Sequence, residues 1–194
     1  MLPVASGAEV ICALGPRASA YNAYEDQRPT PDAMQLAGEV NAALTPICRP
    51  NCPQIALFRN KTAPNAMLIA GNGDAKIVYA PQFFTGVYET YGEGAIVAFI
   101  AHELGHAVDE TSPAGWIKRE WPVEVRADAW AACALANVHL STRGLRETLS
   151  ALAKYPSPQH PAWSQRLPAL RTGYLQCGGS AAAFDGAMAG GKAK

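Results

Sequence analysis

Apolar positions along the chain recur with two different periods, and the changes of period mark its elements. From Thr30 the spacing is helical. Thr30 offers a capping hydroxyl, Pro31 falls in the first turn before Asp32, and Met34, Leu36, Ala37, Val40, Ala43 and Leu44 form one apolar stripe. Three short runs follow, Gln54 to Arg59, Asn65 to Ala70 and Ala75 to Ala80, and their length and residue types predict strands. The spacer Gly71-Asn72-Gly73-Asp74 is a hairpin signal, so a small, mostly antiparallel sheet is expected. Pro81 opens a short helical segment through Phe83, Phe84 and Val87, closed by Gly92-Glu93-Gly94.

The most apolar run, Gly94 to Ile100, then leads into Ala101-His102-Glu103-Leu104-Gly105-His106 and predicts a second long helix. Asp109 to Gly115 reads as a loop. A further helix runs from near Trp121-Pro122 to about His139, another covers Arg143 to Lys154, and a last one starts at Pro161 and passes through Leu167 and Leu170. Residues 1–30 lack periodicity and read as an irregular arm, while Gly, Ala and Ser dominate 178–194 and predict a flexible tail. The expectation is an α+β fold with one domain over residues 31–177, in which a backing helix supports the sheet.

Composition narrows the class. The chain has 194 residues, 49% of them hydrophobic and 16% charged, which suits one packed core and not a disordered segment. Sixteen basic residues balance sixteen acidic ones, so no field draws the chain to nucleic acid or an anionic membrane. Glu93 and His102 bracket the longest apolar run, which is too short to span a bilayer. No intact signal peptide is visible at Met1 to Gly7. The five cysteines are Cys12, Cys48, Cys52, Cys133 and Cys177. A short Cys48–Cys52 disulfide is feasible in its Pro-bearing turn, and Cys133 on an apolar helix can meet Cys177. With bridges the chain belongs in an oxidising compartment, periplasmic or secreted; with free buried thiols it is cytoplasmic.

Chemistry enters with His102, Glu103 and His106. Two histidines four residues apart share one helical face and can bind one zinc ion. Glu103 lies within reach of a water on that ion, the arrangement of metal-assisted amide hydrolysis. The bland alternative is a pair of ordinary helix histidines. A catalytic zinc takes three protein ligands, and Glu124 is the candidate third, with seventeen residues between it and His106 to form a return. Asp128, one turn on, shares its face and can fix a ligand histidine's tautomer. Glu120 and Asp109 are the competing ligands, and a solvated acidic face beside Arg119 and Arg126 is the alternative for the pair.

HELGH followed by Glu124-Val125-Arg126-Ala127-Asp128 resembles the gluzincin metallopeptidases, whose third ligand is the Glu of an ExxxD motif. Closer still, the chain resembles the family of CAAX prenyl endopeptidases and HtpX-type heat-shock proteases. Asn65-Ala66-Met67 is similar to that family's NAF-like edge strand, Ile77-Val78-Tyr79 to its next strand, and His160-Pro161 with Arg166 to its late HPxxxxR motif. The likeness covers roughly residues 54–171. Two departures stand out. A short loop replaces the family's long insertion before the ligand Glu, so the chain resembles a minimal relative, and the transmembrane segments are missing, so a prenyl-protein substrate is not implied.

The resemblance implies a zinc-dependent endopeptidase with one catalytic Zn2+ on His102, His106 and Glu124 and with Glu103 as general base toward a zinc-activated water. An extended peptide or unfolded protein would add to the sheet edge at Asn65, Ala66 and Met67, or along Ala75 to Ala80. His160 would stabilise the oxyanion, cap the zinc in a latent state, or only pack. Arg166 would assist in the cleft or anchor the last helix by ion pairing. His139 and the four tryptophans are expected to be structural. A monomer is expected, and the alternative function is a latent or non-catalytic zinc-bound regulatory module.

Overall fold

The computed structural model describes residues 9–13, 21–53, 55–71, 74–112, 114–138, 140–154 and 161–189. Helix α1 (Pro31–Cys48) begins as its residues dictate: Thr30 Oγ1 accepts the Ala33 N–H at 3.3 Å, and Pro31 sits where a missing N–H leaves nothing unpaired. Leu36, Val40, Ala43 and Leu44 are buried, whereas Met34 is exposed. The helix continues through Pro46 to Cys48, past the expected end of its apolar stripe.

Strands β1 (Glu9–Ala13), β2 (Ile55–Arg59), β3 (Ala66–Gly71) and β4 (Asp74–Tyr79) form one sheet in the order β1-β3-β4-β2. The β3–β4 pair is the expected antiparallel hairpin, in register from Ala66↔Tyr79 to Gly71↔Asp74. Two expectations are corrected. Part of the supposed irregular arm, Glu9–Ala13, is a strand that lies antiparallel to β3. β2 runs parallel to β4, so the sheet is mixed; with β1 on the free side of β3, the far side of β4 is the one β2 takes. Gln27 closes part of the outer edge of β2 by exchanging backbone hydrogen bonds with Arg59.

Six of the helices follow the sheet: α2 (Pro81–Tyr91), α3 (Glu93–Thr111), α4 (Val123–Asn137), α5 (Thr142–Lys154), α6 (Trp163–Gln176) and α7 (Ala181–Ala189). Because α3 carries no charge from Gly94 to Ala101, it can be covered all round, and every residue from Gly94 to Asp109 is buried. It packs on β1, β3 and β4 and is covered further by α1, α2, α4 and α5. α4 in turn lies between α3 and α6. Gly105 permits the α3–α4 approach: a Cβ there would stand 2.6 Å from the Ala127 carbonyl oxygen.

The loop expected from Asp109 begins later, since α3 persists to Thr111 with Asp109 buried. The end of the chain also differs from expectation. Ala181–Ala189 form α7, which buries Phe184 and Ala187 instead of trailing as a tail. Both cysteine pairs lie at disulfide distance, Cys48–Cys52 at 2.16 Å and Cys133–Cys177 at 2.01 Å between sulfurs. The second ties α4 to the turn after α6. Among the described residues, no helix is long and apolar enough to cross a membrane.

Candidate metal centre

His102 and His106 project from one face of α3 toward the first turn of α4, where Glu124 stands. Glu124 Oε2 is 3.2 Å from His102 Nε2 and 3.6 Å from His106 Nε2. One donor atom from each residue lies within 4.8 Å of the others. The return expected after His106 is thus made, and Glu124, not Glu120 or Asp109, completes the group. Glu120 is exposed. Asp109 is turned to other partners: Arg126 Nε donates to its Oδ2 at 2.7 Å and Trp130 Nε1 to its Oδ1 at 3.3 Å.

Behind the histidines lies a second carboxylate. Asp128 is fully buried, with Oδ1 3.1 Å from His102 Nδ1. Arg166 grips it from α6, Nε donating to Oδ2 at 2.7 Å and Nη2 to Oδ1 at 2.8 Å, while Nη1 donates to the Leu152 carbonyl. Burial alone would raise the Asp128 pKa, but the hydrogen bonds from Arg166 and His102 and their charges outweigh it and hold the carboxyl below its ordinary range. An ionised Asp128 favours a proton on His102 Nδ1, which in a neutral ring leaves Nε2 as an acceptor. For His106, burial is the dominant influence and lowers its pKa despite the nearby Glu124, so the ring stays neutral.

Two imidazole nitrogens and a carboxylate oxygen therefore converge. Facing acceptors at such distances repel unless a cation or a shared proton lies among them. Ligands held about 2.0–2.2 Å from a tetrahedral zinc stand about 3.3–3.6 Å apart, close to the two separations seen from Glu124. The donor set fits a metal ion.

Glu103, next to His102 on α3, is fully buried, and the side chains of His102 and Glu124 are 1% and 12% exposed. Of the two roles open to Arg166, ion pairing is the one seen, and its guanidinium also lies over the Trp163 ring at 5.8 Å. Trp130 is core, tilted against Trp116 at 5.1 Å. His160 and His139 lie outside the described residues. Of Asn65, Ala66 and Met67, Met67 does not lie on an open edge, and the pairing described on its β1 side ends there. β3 is an inner strand, and β1 occupies the side away from β4, with Ala13 opposite Met67. β4 is likewise inside, between β3 and β2.

Sequence reasoning missed the strand β1 and the partner of Arg166. The run Glu9-Val10-Ile11-Cys12-Ala13 carries a strand's residue types, a signal masked by its lack of alternation. The Arg166–Asp128 contact spans 38 residues and has no local sign.

An α+β domain with a two-histidine, one-carboxylate group, its histidines buried and Glu124 half-buried, that can hold a metal ion is the class these features define. No protein-family model, curated protein or solved structure matches the chain.

Proposed function

We propose that the chain is a zinc-dependent endopeptidase, with His102, His106 and Glu124 holding one ion and Glu103 acting as general base. The convergence of these three donors, with Glu103 beside His102 on the same helix, is the observation that carries the reading. Zinc bound there would supply Lewis acidity toward a peptide carbonyl and make an attacking water more acidic.

The remaining steps belong to the chain's own groups. Glu103 sits about 100° round α3 from His102, takes a proton from the attacking water and delivers it to the leaving amine. Asp128 holds the Nδ1 proton of His102, and Arg166 keeps Asp128 ionised, so that Nε2 points its lone pair into the group. Burial keeps His106 neutral and able to donate its own lone pair. The likeness of HELGH and Glu124-Val125-Arg126-Ala127-Asp128 to gluzincin motifs supports the same assignment. The two cysteine pairs support an oxidising compartment, periplasmic or secreted.

Burial of both histidines and Glu103, with Glu124 half-buried, favours one refinement: the state described is latent, and the reaction needs a part of the covering to move. Replacing Glu103→Gln tests the base. The variant should keep the metal content of the parent and lose cleavage of a mixed peptide library; undiminished cleavage would remove Glu103 from the mechanism.

A further inference from the structure

We propose that β1 is an exchangeable occupant of a peptide-binding position beside β3, and that an extended apolar peptide takes its place. This deepens the peptidase reading and rests on it for the consequence, which is that the chain's own N-terminal strand holds the site latent.

Three observations converge on β1. The first is its place: it lies along β3 on the side away from β4, and α3, the helix that bears His102, Glu103 and His106, packs against both β1 and β3. A peptide that pairs with β3 itself can add only where β1 now lies, since the other side of β3 is filled by β4. The second is its attachment. β3 and β4 match over six consecutive pairs, whereas β1 pairs Glu9↔Ala70 and Val10↔Ile69, slips, and resumes at Cys12↔Leu68 and Ala13↔Met67. Two steps along β1 oppose one along β3, a bulge that leaves Ile11 outside the ladder and weakens a short edge strand. The third is the burial of His102, whose side chain is 1% exposed beside Glu124 at 12%, so a substrate reaching the pair needs part of its covering to move.

Exchange is chemically even-handed. An extended peptide recovers the backbone hydrogen bonds that β1 gives up, so the competition turns on side chains and on the tether that keeps β1 at millimolar effective concentration. The sequence of β1, Glu9-Val10-Ile11-Cys12-Ala13, indicates the preferred ligand class: an extended segment with consecutive apolar, β-branched residues, as unfolded chains expose.

The test uses the full chain and a fluorescein-labelled synthetic peptide copying residues 7–15 with Cys12→Ser. In a Glu103→Gln background, which prevents cutting, adding Val10→Pro removes a backbone donor from a paired strand position and should tighten probe binding by about tenfold or more. With Glu103 intact, Val10→Pro should raise peptide-library cleavage by a similar factor. Hydrogen exchange on the unaltered chain gives a reading that needs no variant: saturating probe should strip protection from amides 9–13 while β3 and β4 keep theirs. Unchanged protection at 9–13 under bound probe, or equal probe affinity with and without Val10→Pro, overturns the exchange. Equal cleavage by the two chains overturns latency and leaves the peptidase reading standing. Exchange at β1 with no cleavage by either chain upholds β1 as an occupant and removes the peptidase reading.

Discussion

Asp109 and Asp128 are both sealed at the α3–α4 interface and each is gripped by an arginine, yet only Asp128 touches a metal-donor candidate. Asp109 belongs to α3 and reaches across to Arg126 and Trp130 of α4, a link whose arginine also donates to the Trp121 carbonyl. It joins two helices and holds the intervening return. Asp128 belongs to α4 and is pulled two ways, to Arg166 of α6 and to His102 of α3. The same chemical pair thus serves packing in one place and ring orientation in the other. Which service it gives depends on whether an imidazole nitrogen lies within reach of the carboxylate.

Removing each acid separates the two roles. Asp128→Ala should have the larger effect. It leaves the Arg166 guanidinium buried without its counter-charge, a loss of about 3–5 kcal/mol. It also frees the His102 ring, which should weaken zinc binding by about 10–100-fold. Chemical denaturation of the metal-free protein and a competition titration with a zinc-binding dye measure the two effects. Asp109→Ala should cost less, about 1–3 kcal/mol, because Arg126 keeps some contact with water at 17% exposure. Zinc affinity per folded molecule should then stay within about twofold of the parent, since no donor loses its support. A large fall in affinity with Asp109→Ala would erase the distinction between the two acids.

Acid gives a smaller effect with a definite sign. The Asp128 carboxyl is held below its ordinary value of 3.8 in the folded state, so its contribution is complete above that pH and is lost as pH falls below it. In chelator, the stability gap between the parent and Asp128→Ala should therefore narrow as the pH is lowered below 3.8 and stay constant above it. A gap that widens in acid would mean that Asp128 is neutral in the fold.

How much of this was legible in the chain follows from the range of each interaction. His102 and His106 could be placed on one face because a helix repeats locally, and Glu124 with Asp128 for the same reason. The hairpin was legible in its Gly-rich spacer and both cysteine pairs in their settings. Strand order was not, because β1 joins β3 from more than fifty residues away and β2 skips its neighbour in sequence to pair with β4. Of the open edge expected at Asn65 to Met67, Met67 is covered for that reason. The helix over Ala181–Ala189 was hidden because Gly-rich composition marks a tail, while the buried Phe184 and the Arg171–Asp185 ion pair that hold it are tertiary contacts.

The most direct test of the metal centre is the zinc content of the folded chain by inductively coupled plasma mass spectrometry, after loading and exhaustive dialysis, for the parent and for Glu124→Ala. One zinc per parent chain is expected, with little left in the variant, whose circular dichroism should match the parent's. A variant that holds as much zinc as the parent, or a folded parent that holds none, would contradict the assignment of His102, His106 and Glu124 as one metal site.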